Sequence, residues 1–118
     1  MTAPSNPKFF YYPSISANSS GDILIGFSGS GVNDYISAYF WGKLNNGAAL
    51  PNPVPYFAGK DYYPGSDTPF FRWGDYSYTS PDPDGVRIWT VQEYAETRSI
   101  FNPDTFGTRI LSVMPLHY

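Results

Sequence analysis

The chain has 118 residues, of which 42% are hydrophobic, 19% aromatic and only 14% charged, and its 11 glycines and 12 prolines favour short strands joined by turns over helices. The net charge of −3 argues against a nucleic-acid partner, and no apolar stretch is long enough to cross a membrane. Because the chain has no cysteine and one histidine, His117, it excludes disulfides and centres built on Cys or several His, and we expect no metal and no cofactor.

The first half of the chain predicts a β-meander. Residues 1–7 are polar and rich in proline, which predicts a linker, and they lack the basic and apolar regions of a secretory signal. After them come short β-prone runs, each followed by a turn-forming cluster, at residues 14–17, 23–27 and 35–41. We therefore assign residues 8–47 to a first repeat.

The second half restarts the same pattern after a connection rich in proline and glycine at residues 48–69. Within this connection residues 54–57 predict a short edge strand, since proline is confined to edges. Further β-prone runs, again separated by turns, cover residues 75–80, 86–94 and 108–113. Residues 70–118 are therefore predicted to form a second repeat.

The two halves also share the spacing of their turn residues. The pattern Ser-x-Asn/Asp-x-x-Gly occurs twice, 64 positions apart, at Ser16, Asn18 and Gly21 and at Ser80, Asp82 and Gly85. At the same separation Ile25 corresponds to Trp89. In such a turn the Asn or Asp side chain accepts hydrogen bonds from nearby backbone N–H groups, and glycine supplies a positive φ. These residues are therefore predicted to be structural.

The second turn resembles a known motif. Residues 80–89, Ser-Pro-Asp-Pro-Asp-Gly-Val-Arg-Ile-Trp, are similar to the Asp-box of sialidase-like β-propeller proteins, Ser/Thr-x-Asp-x-Gly-x-x-Trp/Phe, with one extra residue before the glycine. Residues 16–25 are a weaker copy. The runs at residues 72–77, 93–94 and 108–110 look like the closing blades of bacterial secreted sialidase-like repeat proteins, and residues 13–15 look like the start of the preceding blade.

This resemblance implies an all-β fold of two four-stranded antiparallel propeller blades, with the Asp-boxes on hairpins remote from the substrate site. Because two blades cannot close a ring, we expect identical chains to complete it, three chains giving six blades. An ordinary two-sheet sandwich is the alternative fold, since both need short strands and frequent turns.

The predicted function is a non-catalytic module of an extracellular protein that binds a carbohydrate or another partner. One alternative is a fragment of a sialidase-like glycoside hydrolase, and another is a structural unit that assembles with copies of itself. The candidate ligand-binding residues combine aromatic rings with charges that could hold sugar hydroxyls or a carboxylate, and they are Arg72, Trp73, Asp75, Tyr76 and Arg109. The structural alternative is that Arg72 and Asp75 join neighbouring blades while Trp73 fills the core.

The sequence offers no coherent set of catalytic residues. A sialidase needs an arginine cluster, a Tyr–Glu nucleophile pair and an acid–base aspartate. Glu93 and Tyr94 are neighbours along a predicted strand, so they should point to opposite faces and cannot act as one pair. The remaining arginines, Arg87 and Arg98, share no evident setting with Arg72 and Arg109.

Two further sets of residues have both a functional and a structural interpretation. Asp82, Asp84 and Asp104 could bind calcium, although carboxylates in a turn with intervening prolines make a poor cage. The aromatic pairs at residues 11–12, 62–63 and 70–71 could form a surface that stacks on glycans, or they could pack blade against blade.

Overall fold

The computed structural model describes residues 7–64 and 73–116, and this part of the chain contains strands and no helix. The prediction of an all-β fold is confirmed. The seven strands, numbered along the chain, are β1 (Lys8–Ala17), β2 (Ile23–Gly31), β3 (Asp34–Lys43), β4 (Val54–Phe57), β5 (Tyr78–Pro81), β6 (Ile88–Ala95) and β7 (Phe106–Val113). Accordingly, the described residues contain no helix that could cross a membrane.

The strands form two antiparallel meanders. The first sheet has the order β1-β2-β3-β4, and its short edge strand β4 comes from the proline-rich connection. The second sheet has the order β5-β6-β7. Among the described residues it thus has three strands where four were expected.

Strands β1 and β5 begin at positions other than the predicted ones. Residues 75–77 were predicted to be extended, but β5 begins at Tyr78. The reason is Glu93, whose Oε1 accepts a hydrogen bond from the Tyr76 N–H at 2.6 Å and holds this segment as a loop. β1 begins earlier than predicted, at Lys8, and is interrupted by a β-bulge at which Tyr12 has a φ of 53°.

The two sheets pack face to face through an unusually polar centre. Ser14 of β1 shares a hydrogen bond of 2.7 Å with Thr79, and Thr79 shares one of 3.0 Å with Thr90. Gln92 is fully buried and donates to Thr90 at 2.9 Å. Opposite them stands Gly26, where an added Cβ would overlap Thr90 Oγ1 and Gln92 Nε2. Glycine therefore permits the close approach of the sheets.

Apolar side chains fill the space on one side of this polar centre. Leu24 of the first sheet and Ile88 of the second are buried there. A cavity of about 320 Å³ remains between the sheets near the Asn18 turn, and Leu24, Phe40, Ile88 and Val113 contribute to its wall. The sheets thus leave one apolar gap at the end where the Ser-x-Asn/Asp turns lie.

Candidate functional site

The turn around Asp82 is held by its own side chain. Asp82 Oδ2 accepts the Asp84 N–H at 2.8 Å, and Asp82 Oδ1 accepts the Trp89 indole N–H at 2.8 Å. Gly85 has a φ of 77° and donates its N–H to the Asp82 carbonyl at 3.0 Å. Ser80 lies just before the turn and is paired with Trp89 across the hairpin. The four positions of the pattern therefore have structural roles in the hairpin: Ser80, Asp82, Gly85 and Trp89.

The turn around Asn18 repeats this geometry. Asn18 Oδ1 accepts the N–H of Ser20 at 3.1 Å and of Asp22 at 3.0 Å. Gly21 has a φ of 82° and donates to the Asn18 carbonyl at 3.1 Å. Ser16 precedes the turn at the end of β1, so the two copies of the sequence pattern adopt corresponding turns at the same end of the two sheets.

The candidate ligand residues of the second repeat do not form one site. Arg72 lies outside the described residues. Trp73 is only 6% exposed, and its indole N–H donates to Ser28 Oγ at 3.0 Å. A ring so deeply buried offers no open face to a sugar, so Trp73 belongs to the packing between the sheets.

Asp75 and Tyr76 are both exposed in the loop before β5. The Tyr76 ring stacks on Phe106 with ring centroids 5.7 Å apart. The loop that carries them is fixed by the buried Glu93, and burial raises the pKa of the Glu93 carboxyl despite the backbone N–H groups of Tyr76 and Gly74 that bond it. Asp75 and Tyr76 are therefore exposed to solvent on a loop whose position is fixed by Glu93.

Arg109 has a different setting. It lies on β7, and its guanidinium carbon is 4.1 Å from the centroid of the Phe57 ring on β4. The Phe57 ring also packs against Tyr94, with centroids 4.4 Å apart. Arg109 thus joins the two sheets by a cation–π contact.

The residues that a sialidase would need are likewise separated. Tyr94 donates its hydroxyl to Glu96 at 2.7 Å, whereas Glu93 holds the loop at residues 74–76. Glu96 also bonds the Thr97 N–H, and these bonds lower the pKa of its carboxyl to about 2. Glu93 and Tyr94 are therefore engaged with different parts of the molecule.

The arginines have separate partners too. Arg87 forms an ion pair with Asp84 at 2.8 Å, and Arg98 forms one with Asp61 at 3.2 Å. Within residues 7–64 and 73–116, no group of three or more His, Asp or Glu side chains could hold a metal ion, so Asp82, Asp84 and Asp104 do not form a calcium cage.

A cleft of about 500 Å³ lies at the opposite end of the first sheet from the Asn18 turn. We call it the tyrosine cleft. It is formed where the β2–β3 turn faces the segment at residues 61–63, and its lining combines tyrosine rings with short polar side chains. The lining comprises Tyr11, Ser30, Gly31, Val32, Asn33, Asp34, Tyr35, Ile36, Asp61, Tyr62 and Tyr63.

The wall formed by β1 is fixed by the bulge in that strand. Tyr11 shares a hydrogen bond of 2.8 Å with Ser30 Oγ, and burial raises the pKa of its hydroxyl. Its neighbour Tyr12 takes the left-handed φ at the bulge, and the Tyr12 ring lies against Gly74. Left-handed backbone is uncommon for a residue with a bulky side chain and persists only where its surroundings enforce it. The bulge thus sets the position of Tyr11.

The opposite wall is fixed by Asp61. Its Oδ1 accepts the Tyr62 N–H at 2.7 Å, and its Oδ2 accepts the Arg98 N–H at 2.9 Å. These bonds lower the pKa of the Asp61 carboxyl. The Arg98 guanidinium lies 5.4 Å from the Tyr62 ring, which nevertheless stays 58% exposed. Tyr62 is therefore an oriented ring with accessible surface.

The cleft continues into a row of aromatic rings. Tyr63 meets Trp73 edge to face at 4.8 Å, and Trp73 meets Phe106 at 6.4 Å. Phe106 in turn stacks on Tyr76. The structure therefore connects two of the predicted site residues, Trp73 and Tyr76, to the cleft through the rings between them.

The sequence indicated only part of this cleft. The aromatic pairs at residues 11–12 and 62–63 were candidates for stacking, and Tyr11, Tyr62 and Tyr63 do meet there. Asp34, Tyr35 and Asp61 were missed. Asp34 and Tyr35 begin β3 and Asp61 lies in the connection after β4, and nothing local in the sequence shows that these two segments meet.

Comparison of the chain with protein-family models, curated proteins and solved structures found no match.

Proposed function

We propose that the chain is a non-catalytic, carbohydrate-binding module of an extracellular β-propeller protein, and that the tyrosine cleft is its ligand site. The proposal depends on one observation: four tyrosines and several small polar side chains line a single cleft of about 500 Å³. This size is typical of small-molecule sites. Tyrosine offers an apolar ring face beside a polar hydroxyl, which suits the alternating C–H and O–H groups of a pyranose.

The position of the cleft supports the same proposal. The resemblance to sialidase-like propellers implies that the Asp-box hairpins lie far from the ligand site. Here the Asn18 turn precedes β2, whereas the cleft lies beyond the other end of β2, at Ser30 and Gly31. A strand of nine residues separates them. The separate settings of Glu93 and Tyr94 favour binding without catalysis.

A glycan array with the wild-type protein and Tyr62→Ala tests this proposal. Losing one stacking ring should weaken binding by about tenfold, which corresponds to about 1.4 kcal/mol. Tyr78→Ala is the matched control, because Tyr78 is 70% exposed on β5 and is not part of the cleft lining. Far-UV circular dichroism and a melting curve verify that both variants fold.

Three outcomes would contradict the proposal. Wild-type protein that binds no saccharide would remove it, and so would equal loss of affinity in Tyr62→Ala and Tyr78→Ala. Turnover of a fluorogenic sialoside by the wild-type protein would instead favour the glycoside hydrolase alternative.

A second function, self-assembly into a ring, is favoured by the outer faces of the two sheets. Ser14 faces the second sheet, so its neighbour Ile15 points outward, where it is 62% exposed. Arg109 faces the first sheet, so Ile110 points outward and is 69% exposed. We propose that the outer face of one chain's first sheet packs on the outer face of another chain's second sheet. Such a head-to-tail contact forms a ring when the rotation from one chain to the next closes, and we propose closure at three chains.

Light scattering with the folded protein tests this assembly. The expected result is a mass three times that of the chain, reduced to the single-chain mass by Ile110→Asp. Val32→Asp is the control and should leave the mass unchanged, because Val32 is also exposed but lines the tyrosine cleft. A folded wild-type monomer would contradict the ring.

A further inference from the structure

The charges of the tyrosine cleft bear on which saccharides it can accept. Its described lining contains two carboxylates, Asp34 and Asp61, and no lysine, arginine or histidine. Each of these carboxylates is paired with a cation from outside the lining. Lys8 Nζ lies 2.9 Å from Asp34 Oδ2, and Arg98 Nε lies 3.2 Å from Asp61 Oδ2.

Arg98 is especially committed to its present partners. Its backbone N–H and its side chain both bond Asp61, and its guanidinium lies over the Tyr62 ring. Asp61 occupies the Nε edge of this guanidinium, so a ligand carboxylate could bind that edge in the bidentate manner that arginine favours only by displacing Asp61. That displacement would release the segment that carries Tyr62.

Lys8 is the cation paired with the other carboxylate of the cleft, Asp34. Binding an anionic ligand through Lys8 would leave the Asp34 carboxylate without its ion pair and beside a second negative charge. Like charges placed together at a binding site reduce affinity strongly. Ionised carboxylates act only as hydrogen-bond acceptors, however, so Asp34 and Asp61 suit the hydroxyl donors of an uncharged sugar.

We propose that the tyrosine cleft selects uncharged saccharides, namely hexoses and N-acetylhexosamines, and discriminates against sugars that carry a carboxylate or sulfate. This inference rests on the proposed carbohydrate binding and adds the chemical class of the ligand. It also separates the chain from sialic-acid sites, which its sequence resemblance would otherwise suggest.

The test compares matched ligands by isothermal titration calorimetry at low salt. One ligand is the neutral oligosaccharide that binds best on the array, and the other is the same oligosaccharide capped with sialic acid. The neutral form should bind roughly tenfold more tightly. The difference should narrow in 1 M NaCl, because salt screens the repulsion between the ligand and Asp34.

Asp34→Asn tests the assigned cause. It removes one negative charge and leaves Lys8 without its carboxylate, so the penalty on the sialylated ligand should fall several-fold. Asp84→Asn is the matched control, because Asp84 also forms an exposed ion pair at 2.8 Å but lies in the Asp82 turn. It should leave the preference unchanged.

The outcomes distinguish the two proposals. If the sialylated ligand binds as tightly as the neutral one, the inference about charge is wrong while carbohydrate binding stands. An equal change in Asp34→Asn and Asp84→Asn would overturn the role of Asp34. If neither ligand binds, the proposed function fails and this inference fails with it.

Discussion

The Asn18 and Asp82 turns have the same backbone design and different surroundings. In each turn a side-chain oxygen accepts the N–H two residues on, and a glycine with positive φ donates back to the carbonyl of the Asn or Asp. Asn18 is nevertheless buried against the second repeat, where its Nδ2 donates to the Val86 carbonyl at 2.9 Å. Asp82 instead bonds Trp89, which remains 41% exposed.

The difference in burial between the two turns follows from what lies next to each of them. The Asn18 turn lies on the Asp82 turn, since the Ser19 N–H donates to the Gly85 carbonyl at 3.0 Å. The described residues, 7–64 and 73–116, form no third sheet that could cover the Asp82 turn in the same way. One local sequence pattern can therefore serve as a buried contact in one copy and a surface hairpin in the other. In the proposed ring, the next chain would cover the Asp82 turn.

The largest loss of stability is expected from a substitution that forces the sheets of the two repeats apart. Gly26→Ala places a Cβ against Thr90 and Gln92, at the closest approach of the sheets. Overpacking of this kind typically costs about 1–3 kcal/mol, and we expect the upper end because the obstructing atoms belong to a buried hydrogen-bond network. The free energy of unfolding in urea measures the loss.

Gly42→Ala is the control for this variant. Gly42 also lies in a central strand of the first sheet, β3, but an added Cβ would meet the Ile23 carbonyl oxygen at 3.3 Å and Leu24 Cδ1 at 3.9 Å, without overlap. We expect a loss of about 1 kcal/mol or less. Equal losses at the two glycines would show that the polar centre tolerates separation of the sheets.

A smaller effect compares the turns directly. Asn18→Ala should cost about 2–3 kcal/mol, because it leaves the buried N–H of Asp22 and the Val86 carbonyl without their partner. Asp82→Ala should cost about 1 kcal/mol, because the groups it leaves are reached by water. Urea denaturation of the two variants gives both values.

The relative size of these two losses tests whether the Asn18 turn is buried and the Asp82 turn is exposed. If Asp82→Ala proves as costly as Asn18→Ala in the single chain, the interpretation of the Asp82 turn as a surface hairpin is wrong. In a chain assembled into rings the two losses should become more similar, because the Asp82 turn would then be covered as well.

The smallest effect is a dependence on pH that belongs to the second turn. The backbone N–H groups of Val86 and Arg87 lower the pKa of the Asp84 carboxyl below its ordinary value of 3.8. The ionised carboxylate therefore stabilises the fold above pH 3.8, and this contribution is lost as the pH falls through the lowered pKa. Asp84→Asn should consequently lose less stability than the wild type on acidification.

Melting temperatures at pH 6 and pH 3 measure this dependence. The control is Asp75→Asn, since Asp75 is an exposed carboxylate outside both turns. Acid sensitivity that is unchanged in Asp84→Asn would contradict the assignment.

The strands could be predicted from the sequence because their signals are local. The runs around residues 23–27, 35–41 and 108–113 all lie within strands, and Val54–Phe57 forms the expected edge strand. The loops were harder to predict from the sequence. Residues 75–77 have a β-type pattern, yet the distant Glu93 carboxylate holds them out of the sheet.

The site was predicted only where it consists of conspicuous aromatic pairs. Trp73 looked like a ligand residue because a Trp beside charged residues is common in sugar sites, but its indole is buried against Ser28. Asp34 lies at the start of β3 and Asp61 in the connection after β4, and neither belongs to a recognisable sequence motif. They share a cleft only because the β2–β3 turn and the segment after β4 fold to the same end of the first sheet.

The sequence by itself determined the all-β class, the positions of the strands and the repeated turn, because alternation, turn residues and Asx hydrogen bonds act over a few neighbouring positions. The tertiary structure alone decided which copy of that turn is buried, which rings are exposed and which carboxylates line the same cleft. Those properties depend on contacts between sheets, such as that of Gly26 with Thr90 and Gln92, and residues so distant in the chain meet only once the two sheets have packed.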